Sequence, residues 1–155
     1  MRTILLSGFG CAVFMALPAL AKSDGDACKL LTAAQVSAAA GFTVSEGTHV
    51  TPTFVKTCTW TGSNSSGAQF VTLNLQTAAF FDGAKKQAAM ITAAGGSVKP
   101  AGVGDDSYFL IEGTQVMLWV KKGDSAFKLA VYKQIAPGQK QDIESTLAKE
   151  VVPRL

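Results

Sequence analysis

The side chains able to do chemistry here are few: the single histidine, His49; the adjacent acids Asp105 and Asp106; and the cysteines Cys11, Cys28 and Cys58. A general base must reach its nucleophile through a hydrogen bond, and His49 with Asp105 or Asp106 could supply such a pair in a small periplasmic hydrolase. No nucleophile elbow accompanies the histidine, so the simpler reading is a solvated residue at a break among threonines. Asp105-Asp106 follows Gly104 but lacks the alternating aspartates of a calcium loop, and reads as a turn whose carboxylates bond nearby amides. Gly102-Val103-Gly104 has neither the spacing nor the following helix of a phosphate loop. One histidine and two mutually bonded cysteines leave no zinc ligand set, so neither a metal nor a cofactor is expected.

Which cysteines matter depends on the start of the chain. Arg2, an apolar run from Leu5 to Leu20 and the small residues of Ala19-Leu20-Ala21 describe a signal peptide over residues 1–21. Gly8, Gly10 and Pro18 within the run, and the polar Lys22-Ser23-Asp24-Gly25-Asp26 after it, make a retained anchor the weaker reading. No stable membrane insertion is expected after cleavage. Gly8-Phe9-Gly10 lacks the branched apolar residue of a lipobox, so Cys11 leaves with the signal. Cys28 and Cys58 remain, in a chain bound for the periplasm or secreted. Oxidising compartments form and keep such bonds, and this one closes a loop whose entropy is worth roughly 3 to 4 kcal/mol.

Removing 21 of 155 residues leaves 134, a size suited to one core. Residues 22–26 read as a flexible mature N-terminus and 27–155 as one globular domain. Without Arg2, 13 basic residues face 11 acidic ones, scattered except for Lys85-Lys86 and Lys121-Lys122. No nucleic-acid footprint is present, since that needs a clustered basic patch.

The elements that must position these residues follow from pattern. Thr32-Ala33-Ala34-Gln35 is a capping box opening a short helix that Gly41 closes. Phe42 to Val50 reads as extended with a break at Gly47, and Phe54 to Thr61 as a strand with Cys58 and Trp60 on one face. The turn Ser63 to Gly67 leads to a strand over Ala68 to Gln76. Thr77 caps a helix to about Ala94, in which Phe80 and Phe81 read as core. Lys99 to Asp106 reads as a loop before three strands, Ser107–Glu112, Gln115–Lys121 and Ala126–Lys133, turning at Gly113 and Gly123. Pro137 opens a last helix with Ile143, Leu147 and Val151 at four-residue spacing, and Pro153 stops it. The expected fold is α+β: an antiparallel sheet with helices on one or both faces, and one disulfide.

On the last two strands Val116, Leu118, Val120, Phe127, Leu129 and Val131 share one face. Met117, Trp119 and Tyr132, with Phe70, make the other face more apolar than water requires. Either a helix covers them or they form a ligand or partner surface.

Taken together, Cys28-Lys29-Leu30-Leu31-Thr32, the helix to Gly41, Cys58-Thr59-Trp60 and Gly102-Val103-Gly104-Asp105-Asp106 resemble a family of small secreted proteins and lipoproteins of unknown function, mostly actinobacterial. Its members open with Asp-Pro-Cys and Leu-Leu-Thr; here Ala27 replaces the proline. The resemblance implies a bonded cysteine pair and a sandwich similar to the PsbP-like fold, and no catalytic residues. The function expected is an exported, non-catalytic binding or protein-interaction domain, its partner a small apolar ligand or an envelope protein. The alternatives are the His49 hydrolase and a periplasmic inhibitor or immunity protein.

Overall fold

The structure, a computed structural model, describes residues 25–64, 67–93 and 95–155. The expected signal peptide and residues 22–24 lie outside the described residues. Among the described residues, seven strands form one antiparallel sheet in the order β1-β2-β3-β7-β6-β5-β4. They are β1 (Thr48–His49), β2 (Thr57–Asn64), β3 (Gly67–Thr77), β4 (Ser97–Pro100), β5 (Asp106–Glu112), β6 (Gln115–Lys122) and β7 (Ser125–Tyr132). The helices are α1 (Ala33–Ala40), α2 (Ala78–Ala93) and α3 (Pro137–Val151). The architecture is α+β, as the patterning requires.

Local chemistry sets the helix ends. Thr32 Oγ1 accepts the Gln35 N–H at 3.2 Å while Gln35 Oε1 accepts the Thr32 N–H at 3.0 Å, closing the capping box of α1. Gly41 then ends the helix at φ 68°, a conformation that a Cβ disfavours. Thr77 Oγ1 accepts the Phe80 N–H at 3.2 Å and starts α2. Pro137 occupies the first turn of α3, where its missing N–H costs nothing.

Strand alternation then divides the core between the two faces of the sheet. Val71, Leu73, Leu118, Leu129 and Val131 join Val36, Leu147 and Val151 in the larger cluster beneath α1 and α3. Tyr108, Leu110, Trp119 and Ala126 join Phe81 and Ala88 in the smaller one beneath α2. Helices therefore cover both faces.

Three local expectations need correction. Phe42 to Val50 supplies only the two-residue β1, and β2 begins at Thr57 rather than Phe54. The Val55 carbonyl is taken instead by the Ala27 N–H at 2.8 Å, which docks the 3-10 turn Ala27–Lys29 beside the sheet. Lys99 and Pro100, read as the start of a loop, instead end an edge strand, Ser97–Pro100, paired with β5, a setting in which a proline is tolerated. Phe80 is 53% exposed, because Phe81 takes the buried position of the helix one residue later.

The cysteines meet as expected. Cys28 and Cys58 are bonded with Cα atoms 5.0 Å apart, joining the chain just before α1 to β2.

Candidate functional site

The sheet comes apart in its middle. β6 and β7 pair from Lys122↔Ser125 as far as Leu118↔Leu129 and no further, although β6 starts at Gln115 and β7 runs on to Tyr132. Each strand keeps its outer partner through this stretch, as Ile111↔Val116 and Val71↔Val131 show. Backbone groups facing the gap need partners from elsewhere, since an unpaired buried amide is costly.

Helix α3 supplies them. Glu144 Oε1 accepts the Val131 N–H at 3.0 Å, and the Leu118 N–H also favours the charged form of this carboxyl. One turn earlier, Lys140 Nζ donates to the Thr114 carbonyl at 2.7 Å. Their four-residue spacing puts both on the face of α3 that meets the sheet. Glu144 is fully buried and Lys140 is 6% exposed. Burial pushes the Glu144 carboxyl up to about 8, against the opposing pull of the Val131 N–H, the Lys140 charge and the Leu118 N–H. Its Oε2 has no partner among the described residues.

Beside these groups the gap opens into a cavity of about 660 Å³. Thr114, Val116, Tyr132, Ile135, Ala136 and Lys140 are among its lining, which includes Lys133 but no carboxylate. Lys133 contributes its stem: its Nζ donates to the Ala40 carbonyl at 3.2 Å and lies 5.3 Å from the Phe42 ring, both on the α1 side. The Tyr132 ring is fixed by stacking on Phe70 with centroids 4.3 Å apart.

The four residues expected to share a ligand or partner surface are divided by the structure. Trp119 is 8% exposed, lying under Phe80 of α2 at 6.0 Å and against Tyr108 at 6.2 Å. Met117 packs at the edge of the same cluster. Phe70 and Tyr132 remain half-buried as a stacked pair, and Tyr132 reaches the cavity.

His49 is not solvated at a free break. Its Nε2 lies 2.8 Å from Asp26 Oδ1, and the same oxygen accepts the Cys28 N–H at 2.9 Å. Burial works to raise the Asp26 carboxyl, but the bonds from His49 and Cys28 outweigh it and hold the group below the ordinary range. Ligand atoms of Asp26, Cys28 and His49 lie within 4.8 Å of one another, yet the Cys28 sulfur is committed to the disulfide and offers no thiolate. Asp105 instead receives Lys122 Nζ at 2.7 Å and the Gly123 N–H at 2.8 Å, and Asp106 pairs with Lys85 at 2.6 Å. β1 and β5 are five strand spacings apart, roughly 24 Å, so His49 and these acids do not meet.

Lys140, Glu144 and Thr114 were not singled out by sequence reasoning. A signal was present: Lys140 and Glu144 fall on the same helical stripe as Leu147 and Val151, where a surface helix would carry apolar residues. Charges on a buried stripe need specific partners. The fold and site define a disulfide-stapled α+β sandwich with a cavity at a parting of its sheet. Comparison with family models, with curated proteins and with solved structures finds no match.

Proposed function

We propose that this chain is an exported, non-catalytic binding domain whose ligand occupies the cavity where β6 and β7 part. The observation that carries the reading is that cavity of about 660 Å³, within the range typical of small-molecule sites, with Val116, Val131 and Ile135 beside polar groups of Thr114, Gln115, Gln134 and Lys140 in nearly equal share. Export is supported by the leader pattern of residues 1–21 and by the Cys28–Cys58 bond, which suits an oxidising compartment. No helix among the described residues is long and apolar enough to cross a membrane. Binding rather than turnover is favoured because the groups at the gap, Glu144 and Lys140, are engaged with backbone partners. The resemblance to small secreted proteins agrees with this class.

The test uses the oxidised, folded protein and the fluorescent probe 8-anilinonaphthalene-1-sulfonate. Saturable one-site binding, lost when Ala136→Trp fills the cavity without altering far-UV circular dichroism, is the expected result. Binding that survives the filling, or none to the native protein, overturns the reading.

A further inference from the structure

We infer that the cavity takes a monoanionic amphiphile, its carboxylate paired with Lys140 Nζ and its apolar body lying along Ile135 and the Tyr132 ring. The inference rests on the reading of the cavity as a binding site and adds the chemistry of what enters it.

The argument is one of charge balance. A lysine ammonium has three N–H donors, and the Thr114 carbonyl takes one of them. Among the described residues, no carboxylate lies within ion-pairing distance of Lys140 and no second acceptor is within hydrogen-bond reach. A buried cation without a counter-charge is costly unless something supplies one. The nearest acid on its own helix face, Glu144, does not serve: its Oε1 is given to the Val131 N–H and burial favours its neutral form near pH 7. The lining supplies no other carboxylate.

The same balance sets the charge of the guest. Lys133 turns its ammonium away towards Ala40 and Phe42, leaving Lys140 as the cationic head at the cavity. One ammonium neutralises a single negative charge, whereas a doubly charged phosphate would bring a second charge out of water with no partner. The start of α3 adds to the attraction. Ala136 borders the cavity at the N-cap position and has no side-chain oxygen to satisfy the first-turn N–H groups, so the positive end of the helix dipole is uncapped there. Ile135 and the Tyr132 ring, held by Phe70, supply an apolar wall for the rest of the molecule.

Calorimetric titration of the oxidised, leader-free protein with octanoate, octan-1-ol and octylammonium tests this. Octanoate is expected to bind at least about tenfold more tightly than octanol, a difference of about 1.4 kcal/mol, with octylammonium weakest. Lys140→Met should bring octanoate down to the level of octanol, and Lys140→Arg should restore most of the preference. Equal binding of octanoate and octanol to the native protein, abolished for both by Ala136→Trp, overturns the carboxylate inference and leaves the binding site standing. Failure of all three ligands to bind overturns both. The comparison within the native protein decides the matter even if Lys140→Met does not fold.

Discussion

The Glu144 carboxyl oxygen Oε1 accepts the Val131 backbone N–H at 3.0 Å, so a helix side chain stands in for a strand neighbour where β6 leaves β7. This substitution makes the fold sensitive to pH. In the unfolded chain the carboxyl titrates near its ordinary 4.5; in the fold, burial raises it to about 8. Between those values the folded state holds a proton that the unfolded state has released, so stability falls as pH rises through the window. Glu144→Gln keeps an oxygen for Val131 and removes the titration. The wild type should lose roughly 3 to 5 kcal/mol relative to this variant between pH 5 and pH 8. Urea unfolding at a series of pH values measures it, and parallel pH profiles for the two proteins would refute it.

Disulfide removal has a different signature. The Cys28–Cys58 bond closes a separation of 30 residues and fixes the segment before α1 to β2. Replacing both cysteines with serine should lower stability by roughly 2 to 5 kcal/mol. Intact mass after alkylation without reduction checks the premise: two alkylated cysteines in the purified native protein mean no bond is present.

Gly47 is needed for space, not for its backbone angle. A Cβ built there would lie 2.5 Å from Cys58 Sγ and 2.7 Å from Trp60 Nε1, and both neighbours are fully buried. Gly47→Ala should cost roughly 1 to 3 kcal/mol, in the range of overpacked cores. Gly123→Ala is the contrast, since nothing beyond its chain neighbours would lie within 4 Å of a Cβ there and the strain comes from φ 58° alone. Equal stability of native protein and Gly47→Ala in urea would show that the segment shifts freely.

Phe80, in the first turn of α2, shields Trp119. The rings are 6.0 Å apart, Phe80 is mostly in water and Trp119 is nearly buried. Phe80→Ala should red-shift the tryptophan emission and raise its quenching by acrylamide, with a stability loss of about 1 kcal/mol. Trp60, fully buried on the opposite face, supplies the unchanged component of the signal. An unaltered spectrum would mean that other atoms cover Trp119.

What the sequence determined by itself was chiefly local. Thr32 with Gln35, Gly41, Thr77 and Pro137 fix helix ends through bonds made within a few residues, so they are readable from spacing. The alternation in β6 and β7 likewise declared which residues would be buried, because a strand has only two faces. The cysteine pairing followed from there being two cysteines beyond the expected leader.

Only the tertiary structure decided where the chain leaves room. The parting of β6 from β7 depends on how α3 lies across the sheet, and that in turn places Lys140 and Glu144 against Thr114 and Val131, partners between 13 and 26 residues away in sequence. Spacing along the chain carries no record of such contacts; two charges on an apolar stripe announce that partners must exist, not which ones. The same holds for His49, whose bond to Asp26 spans 23 residues and arises because β1 runs beside Cys58, itself tied to Cys28. Local preferences are summed over neighbours in sequence, whereas a cavity and its charge balance are properties of surfaces brought together from several elements at once.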